Sequence, residues 1–304
     1  MKKNLEGLIF HISRASGEDG PGIRTTVFFK GCPMRCSWCH SPQSQGGLEP
    51  ILSHYPSRCI NCGACSGACP EGVHGIVRGQ RRISWDDCNT CGICAEQCPS
   101  RALEMVGRWM TVDEVVDVVS RDKGYYSTSR GGVTFSGGEP TMQPDFVYAC
   151  AKTCGELGIH TALDTCGYVK WHFFEKLLPA IDLVLFDIKQ VVSYLHTVHT
   201  GVTNTLVLEN LKRVDAYGRP IWLRIPLIPG YNDSRKNIDG IVALAKGLRH
   251  IQRITILPYN TAAGAKYPSI GRTFSLHVQE LSEEAERRIM ESLASTGVRV
   301  ELRQ

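Results

Sequence analysis

Eleven of the chain's fourteen cysteines fall between Cys32 and Cys98, in three groups of fixed spacing. The first is Cys32-x3-Cys36-x2-Cys39. The second is Cys59-x2-Cys62-x2-Cys65-x3-Cys69-Pro70, and the third, Cys88-x2-Cys91-x2-Cys94-x3-Cys98-Pro99, repeats it. Cys150, Cys154 and Cys166 are scattered. The N-terminus carries no continuous apolar run with a small-residue cleavage site, and no stretch is apolar enough to span a membrane. A cytoplasmic location is therefore expected, where dense cysteine serves metal or redox chemistry rather than disulfides. With 304 residues, 42% of them hydrophobic, the chain can bury a large core and is not a disordered tail. A formal charge of +4 is too small to argue for a nucleic-acid or membrane partner.

The repeated four-cysteine run resembles that of bacterial two-cluster ferredoxins, in which three closely spaced thiolates wrap one cubane and the fourth, before proline, ligates the other. The resemblance assigns Cys59, Cys62, Cys65 and Cys98 to one 4Fe–4S cluster, and Cys69, Cys88, Cys91 and Cys94 to a second. Gly63 and Gly92 suit places where the backbone passes close to sulfur. Two zinc knuckles are the alternative, disfavoured because both runs close with Cys-Pro. The first group has only three cysteines. On a cubane these leave one iron open to bind and act on a substrate, as a catalytic zinc keeps a vacancy. On spacing alone, a zinc site completed by His40 is the alternative.

Residues 23–30 read as a buried strand feeding the three-cysteine loop. Residues 53–105 show little periodicity and read as an inserted module folded around its clusters. From Thr111 the pattern alternates. Thr111-x-x-Glu114 resembles a capping box before a helix with Val112, Val115, Val116, Val118 and Val119 on one face. A glycine-rich strand ending in GGEP follows, and Pro144 opens the next helix. Strands are expected at 159–165, 181–189, 220–226, 251–259 and 298–302, with helices near 171–178, 204–216, 235–247 and 280–296. Alternating elements predict a parallel sheet with helices outside and a site at the C-terminal strand ends.

The three-cysteine loop with Trp38 before its last cysteine is similar to the signature of radical S-adenosylmethionine (SAM) enzymes. In order there follow Asp19-Gly20-Pro21-Gly22-Ile23-Arg24-Thr25 (upstream of the loop), Ser136-Gly137-Gly138-Glu139-Pro140, Asp164-Thr165, Asp187-Ile188-Lys189 and Leu257-Pro258-Tyr259. Together they resemble the activating enzymes of glycyl radical enzymes, in the longer branch with a ferredoxin-like insert, whose partners are decarboxylases, dehydratases and lyases. The resemblance implies an α/β fold, a partial (β/α)6 barrel of residues 1–52 and 106–304, interrupted by a two-cluster domain of residues 53–105. It implies three 4Fe–4S clusters, with SAM as cosubstrate. SAM is cleaved reductively to a 5′-deoxyadenosyl radical, which abstracts hydrogen from a glycine of a partner protein. Flavodoxin or ferredoxin is the implied electron donor.

By matched position the resemblance gives Cys32, Cys36 and Cys39 the catalytic cluster. Trp38, His40, the Gly137-Gly138-Glu139 edge, Asp164, Thr165, Asp187, Ile188 and Arg224 contact SAM, and Lys189 lies near its carboxylate. It also implies a monovalent cation, with Asp164, Thr165 and Asp187 as candidates. Asp19 belongs to a loop that meets the partner's glycine loop. His196-x3-Thr200-Gly201 also fits a family pattern and is expected to be structural. Cys150, Cys154 and Cys166 are expected to bind no metal. Asn260 stands where many relatives carry a SAM-contacting His; it can form a hydrogen bond but cannot become cationic. Val192 and Ser41 depart in the same way from a frequent Asp and Asn. A radical SAM enzyme acting on a small molecule or peptide is the alternative function. A plain electron carrier would leave the barrel pattern unexplained.

Overall fold

The computed structural model describes residues 5–78 and 80–303. Residues 1–4 and 304 of the expected barrel, and residue 79 of the expected insert, lie outside the described residues. The chain opens with β1 (Glu6–Ser16) and β2 (Arg24–Phe29), which pair antiparallel. After the cysteine loop, β3 (Ile51–His54) leads into the insert. The insert holds α1 (Ala64–Ala68), the hairpin β4 (His74–Val77) and β5 (Gln80–Ile83), and α2 (Ile93–Glu96). It returns through β6 (Leu103–Val106), which pairs antiparallel with β3 and closes a two-stranded neck.

The return strand β7 (Arg108–Thr111) pairs with β1, and α3 (Val112–Ser120) follows at once. Thr111 and Glu114 form the expected capping box: the Glu114 N–H donates to Thr111 Oγ1 at 3.2 Å, and the Thr111 N–H to Glu114 Oε2 at 2.7 Å. Next come α4 (Lys123–Ser129), β8 (Gly132–Gly137), α5 (Pro144–Glu156), β9 (His160–Thr165), α6 (Trp171–Leu177) and β10 (Leu183–Asp187). The last elements are α7 (Ser193–Thr200), α8 (Thr205–Tyr217), β11 (Ile221–Leu227), α9 (Arg235–Lys246), β12 (Ile251–Pro258), α10 (Glu283–Ala294) and β13 (Arg299–Leu302).

The main sheet is mixed, nine strands in the order β13-β12-β11-β10-β9-β8-β2-β1-β7. The run from β2 through β8 to β13 is parallel, and no closed barrel forms among the described strands. The expectation of six main strands and a short one therefore needs two additions. β1 and β7 form an antiparallel edge beyond β2. In β1 a break of register between Ile9 and His11 hides the alternation that would mark a strand. β7 is too short to show a period.

Alternation along each parallel strand sorts the side chains. Phe135, Leu163, Val184, Phe186, Leu223, Ile225, Ile254 and Ile256 belong to the large core shared with the helices. The intervening Ala162, Leu183, Leu185 and Trp222 form a separate buried cluster on the other face. Continuing toward the C-terminal ends, that second face carries Asp164, Asp187 and Arg224. The sheet must curl round this face. Arg224 on β11 is ion-paired to Asp19 in the loop before β2, although four strand spacings, roughly 19 Å when flat, separate β2 from β11 in the sheet order.

The candidate SAM and iron–sulfur site

The curl makes a cavity of about 770 Å³ at the C-terminal ends of the parallel strands. Cys32, Cys36 and Cys39 all line it, with Trp38, His40, Gly137, Gly138, Asp164, Thr165, Asp187, Lys189, Arg224 and Asn260. The cysteine loop is fixed by the rest of the chain. The last carbonyls of α7 have no partner within their own helix, and two accept from the loop: Thr200 O from the Arg35 N–H at 2.8 Å and His199 O from the Ser37 N–H at 2.9 Å. The loop's own carbonyls are held from the other side. Lys266 Nζ donates to His40 O at 2.8 Å, Tyr267 Oη to Cys39 O at 3.3 Å, and Gln45 Nε2 to Cys36 O at 3.2 Å.

The Ser136-Gly137-Gly138-Glu139 turn is laced to the same loop, Gly138 N–H to Phe29 O and Glu139 N–H to Gly31 O, both at 2.7 Å. Gly137 has φ +109°, and a Cβ on either glycine would strike backbone atoms of residues 28–31. Glycine here is a requirement of close approach.

Glu139 is placed differently from the rest of its motif. Its side chain is fully buried, accepts from Thr141 Oγ1 at 2.6 Å, Thr165 Oγ1 at 2.8 Å and the Cys166 N–H at 2.7 Å, and does not line the cavity. It ties the end of β8 to the end of β9. Ile188 is likewise packed into the core and lines no part of the cavity.

Charge in the cavity centres on Arg224. Its guanidinium reaches Asp164 Oδ2 at 3.0 Å, Asp19 Oδ1 at 3.4 Å and Asp187 Oδ1 at 3.5 Å. Asp187 sits opposite Arg224 in the β10–β11 register and also accepts from Lys189 Nζ at 2.9 Å. Burial disfavours the Arg224 charge, but Asp164, Asp187 and Asp19 outweigh it and hold its pKa above the ordinary value. Lys189 is likewise opposed by burial and held cationic, chiefly by Asp187. Burial pushes Asp164 up to about 7 against the pull of Arg224. Its Oδ2 accepts from Ser136 Oγ at 2.6 Å, and its Oδ1 is buried with no hydrogen-bond partner, as is Trp38 Nε1.

The thiols show what the loop lacks by itself. Burial raises Cys36 to about 12 and Cys39 to about 11. Cys32 is lowered by a hydrogen bond from the Cys166 thiol, which more than offsets burial. Three thiolates at this place need a compensating metal charge. The donor set, the room beside it and two lining residues with unpartnered polar atoms, Asp164 and Trp38, together fit an iron–sulfur cluster with SAM.

Sequence reasoning missed several lining residues. Cys166 is not one of them: it is expected beside the cofactor without binding metal, and it lines the cavity and hydrogen-bonds to Cys32. Arg303, after β13, lines the cavity and donates through Nη2 to Gly20 O at 3.3 Å. Lys266 and α7 are missed as supports, because no local pattern joins residues so far apart in sequence. The His196 expectation fits its surroundings: Nδ1 lies 2.7 Å from Val202 O, beside Thr200 Oγ1. Cys150 and Cys154 are fully buried on the core face of α5.

In the insert, Cys59, Cys62, Cys65 and Cys98 line one small hollow, and Cys69, Cys88, Cys91 and Cys94 a second. Corresponding residues take the same backbone form in the two: Asn61 and Thr90 at φ +56° and +55°, Gly63 and Gly92 at +81° and +82°. Among the described residues no three His, Cys, Asp or Glu side chains close on a single metal ion; the cysteines surround hollows instead.

Residues 26–239 match the Radical SAM superfamily. The chain belongs to that superfamily. It is a radical SAM enzyme, and its relatives are activating enzymes. It is 39% identical to the choline trimethylamine-lyase activating enzyme of Oleidesulfovibrio alaskensis over 88% of this chain and 87% of that protein. It is 37% identical to the (2S)-3-sulfopropanediol dehydratase activating enzyme of Klebsiella oxytoca, over 93% and 95%. Among solved structures, a domain of a pyruvate-formate lyase-activating enzyme from Bacteroides vulgatus aligns with TM-score 0.50 and 32% identity, covering 57% of this chain and 99% of that one. Among the described residues no helix is long and apolar enough to cross a membrane.

Proposed function

We propose that this radical SAM enzyme is the activase of a glycyl radical enzyme of the decarboxylase, dehydratase or lyase type. The observation that carries the reading is the convergence, in one cavity, of a three-cysteine loop with the strand-end charges of Asp164, Asp187, Lys189 and Arg224, in a chain whose curated relatives over nearly its full length activate enzymes of that type. Cys32, Cys36 and Cys39 would hold a 4Fe–4S cluster, which would supply one electron and an open iron site for splitting SAM into methionine and a 5′-deoxyadenosyl radical; that radical would become 5′-deoxyadenosine by taking a hydrogen atom from a glycine of the partner protein.

The chain's own residues bind and orient. Gly137 and Gly138 bring their backbone to the cavity edge, where carbonyls can accept from the SAM amino group. Lys189 offers its ammonium to the carboxylate of SAM. Trp38, His40 and Asn260 line the wall. Arg224 locks Asp19, Asp164 and Asp187 into one charge lattice, so the cavity does not reorganise when the ligand arrives. Glu139 acts indirectly, holding the ends of β8 and β9 together. A monovalent cation at Asp164, Thr165 and Asp187 belongs to the same reading and is supported by the unpartnered Asp164 Oδ1. The Asp19 loop forms part of the cavity wall and is tied to Arg224 and Arg303.

The same reading divides the chain into a radical SAM core of residues 1–52 and 106–304 and a ferredoxin-like insert of residues 53–105, as in the longer branch of activases. The insert carries one 4Fe–4S cluster on Cys59, Cys62, Cys65 and Cys98 and another on Cys69, Cys88, Cys91 and Cys94. They relay electrons from flavodoxin or ferredoxin.

The test is anaerobic. Reduced, reconstituted protein is mixed with SAM and the glycyl radical enzyme encoded beside it, and a doublet glycyl radical signal is sought by EPR. SAM cleavage without a protein radical on any candidate partner overturns the reading in favour of a small-molecule or peptide substrate.

A further inference from the structure

The two hollows of the insert share one backbone plan but not one electrical environment. Corresponding positions lie 29 residues apart, as Cys59 and Cys88 do. By that offset Ser100, in the wall of the first hollow, corresponds to Glu71 in the wall of the second. Ser100 Oγ lies 3.8 Å from Cys98 Sγ. Glu71 presents a carboxylate, held by Asn89 Nδ2 at 3.0 Å.

The larger difference comes from the β4–β5 hairpin. It carries His74 and Arg81, and its Arg81 reaches only the first hollow, joining His54 in that wall. Arg81 Nη1 donates to Ser66 Oγ at 3.2 Å, next to Cys65, while its Nε is buried with no partner. His54 Nε2 and both ring nitrogens of His74 are also buried and unpartnered. Arg81 Nε can only donate, so burial without a partner implies an acceptor in the hollow it borders; His54 Nε2 can donate there in one tautomer, and His74 lines neither hollow. Among the described residues the second hollow has no cation in its wall; besides its cysteines it is lined by Leu52, Val73, Glu71 and the 89–92 turn.

We propose that the hollow of Cys59, Cys62, Cys65 and Cys98 holds the higher-potential auxiliary cluster, that Arg81 is the residue chiefly setting the gap, and that an electron entering the insert settles there first. The proposal rests on the two-cluster reading of the insert. Reduction adds one electron, and so one negative charge, to a 4Fe–4S cluster. A fixed guanidinium and N–H donors beside the sulfurs stabilise the reduced form, whereas a neighbouring carboxylate opposes it. The electron comes from a one-electron donor protein in the cell and from dithionite in the test.

The full-length protein, reconstituted with iron and sulfide, is titrated potentiometrically and followed by EPR. Arg81→Gln should lower the reduction constant of one auxiliary cluster about tenfold, a shift of about 59 mV for a one-electron couple. Arg81→Lys should recover most of that loss. Glu71→Gln should raise the other auxiliary centre, the lower one. With iron near twelve per chain, roughly four per cubane, the proposal is overturned if Arg81→Gln moves neither centre or both alike. It is overturned too if Glu71→Gln moves the higher centre. Should Arg81→Gln fail to retain iron, Glu71→Gln decides alone by the same criterion. A wild-type iron content near four per chain overturns the two-cluster reading itself and is told apart by that count.

Discussion

The two cysteine-rich regions of this chain are held in opposite ways. The Cys32–Cys39 loop hangs from a finished scaffold: α7, Gln45, Lys266 and Tyr267 fix its backbone, and behind it lies the large core of sheet and helices. The insert has almost no core. The buried apolar cluster at its base is Leu52 of the neck strand with Cys65, Cys94 and Leu103, and half of that is cysteine. Its helices are single turns of five and four residues, too short to stand alone. On the proposed two-cluster reading, the first region is a site prepared for its metal, and the second is a fold that its metal completes.

The sharpest test of that contrast is Cys36→Ala. Reductive SAM cleavage, read as 5′-deoxyadenosine by chromatography, should be abolished, while far-UV circular dichroism and the iron of the insert remain. Loss of folded structure in this variant would mean that the loop is not prepared in advance. Chelating iron from the whole protein under anaerobic conditions is the converse experiment. Amide exchange should become fast across residues 55–102 and stay slow in β8 to β12. Retained protection in the insert would show that Leu52, Leu103 and the neck suffice to fold it.

The same contrast explains what the sequence made legible. The cysteine groups are visible because ligand spacing is local, and the parallel strands because each has its own apolar run and turn. The strand-end residues Asp164 and Asp187 follow from the motifs that contain them, and Arg224 from its place toward the end of the expected 220–226 strand. The Glu139 carboxylate could not be placed: its partners Thr165 and Cys166 sit on the next strand, and only the β8–β9 register brings them to it. Arg303 joins the cavity only through the curl of the sheet. β1 escaped notice because a register break interrupts its alternation, and α7 because its eight residues carry a mixed polar pattern.

Asp122 tests the scaffold side of the comparison away from any cysteine. Its buried carboxylate accepts from Arg14 Nε at 3.0 Å and from Thr25 Oγ1 at 2.6 Å, joining the start of α4 to β1 and β2. Asp122→Ala should destabilise the core by about 2–3 kcal/mol in urea unfolding and leave the iron content unchanged. The hydrogen bond from Arg14 and that from Thr25 hold the Asp122 pKa below the ordinary carboxylate value, against burial. The unfolded chain therefore takes up this proton first as pH falls. The stabilisation is complete above the ordinary value of 3.8 and disappears as pH drops through the lower folded value. The variant should lack this part of the acid sensitivity, and an unchanged acid limb would show that Asp122 does not supply it.

The smallest expected effect lies at the junction of the two regions. β7 brings the chain back from the insert, and Thr111 ends it while capping α3. Thr111→Ala removes the acceptor for the Glu114 N–H and should cost about 1 kcal/mol, read as a lowered melting temperature of the core. Since β7 is also paired to β1, the return strand stays in place when the cap is lost. The potentials and iron content of the insert should then be those of the unaltered protein. A shift of either on losing one exposed hydroxyl would mean that the insert takes its geometry from the core after all, and that the two regions differ less than their buried residues imply.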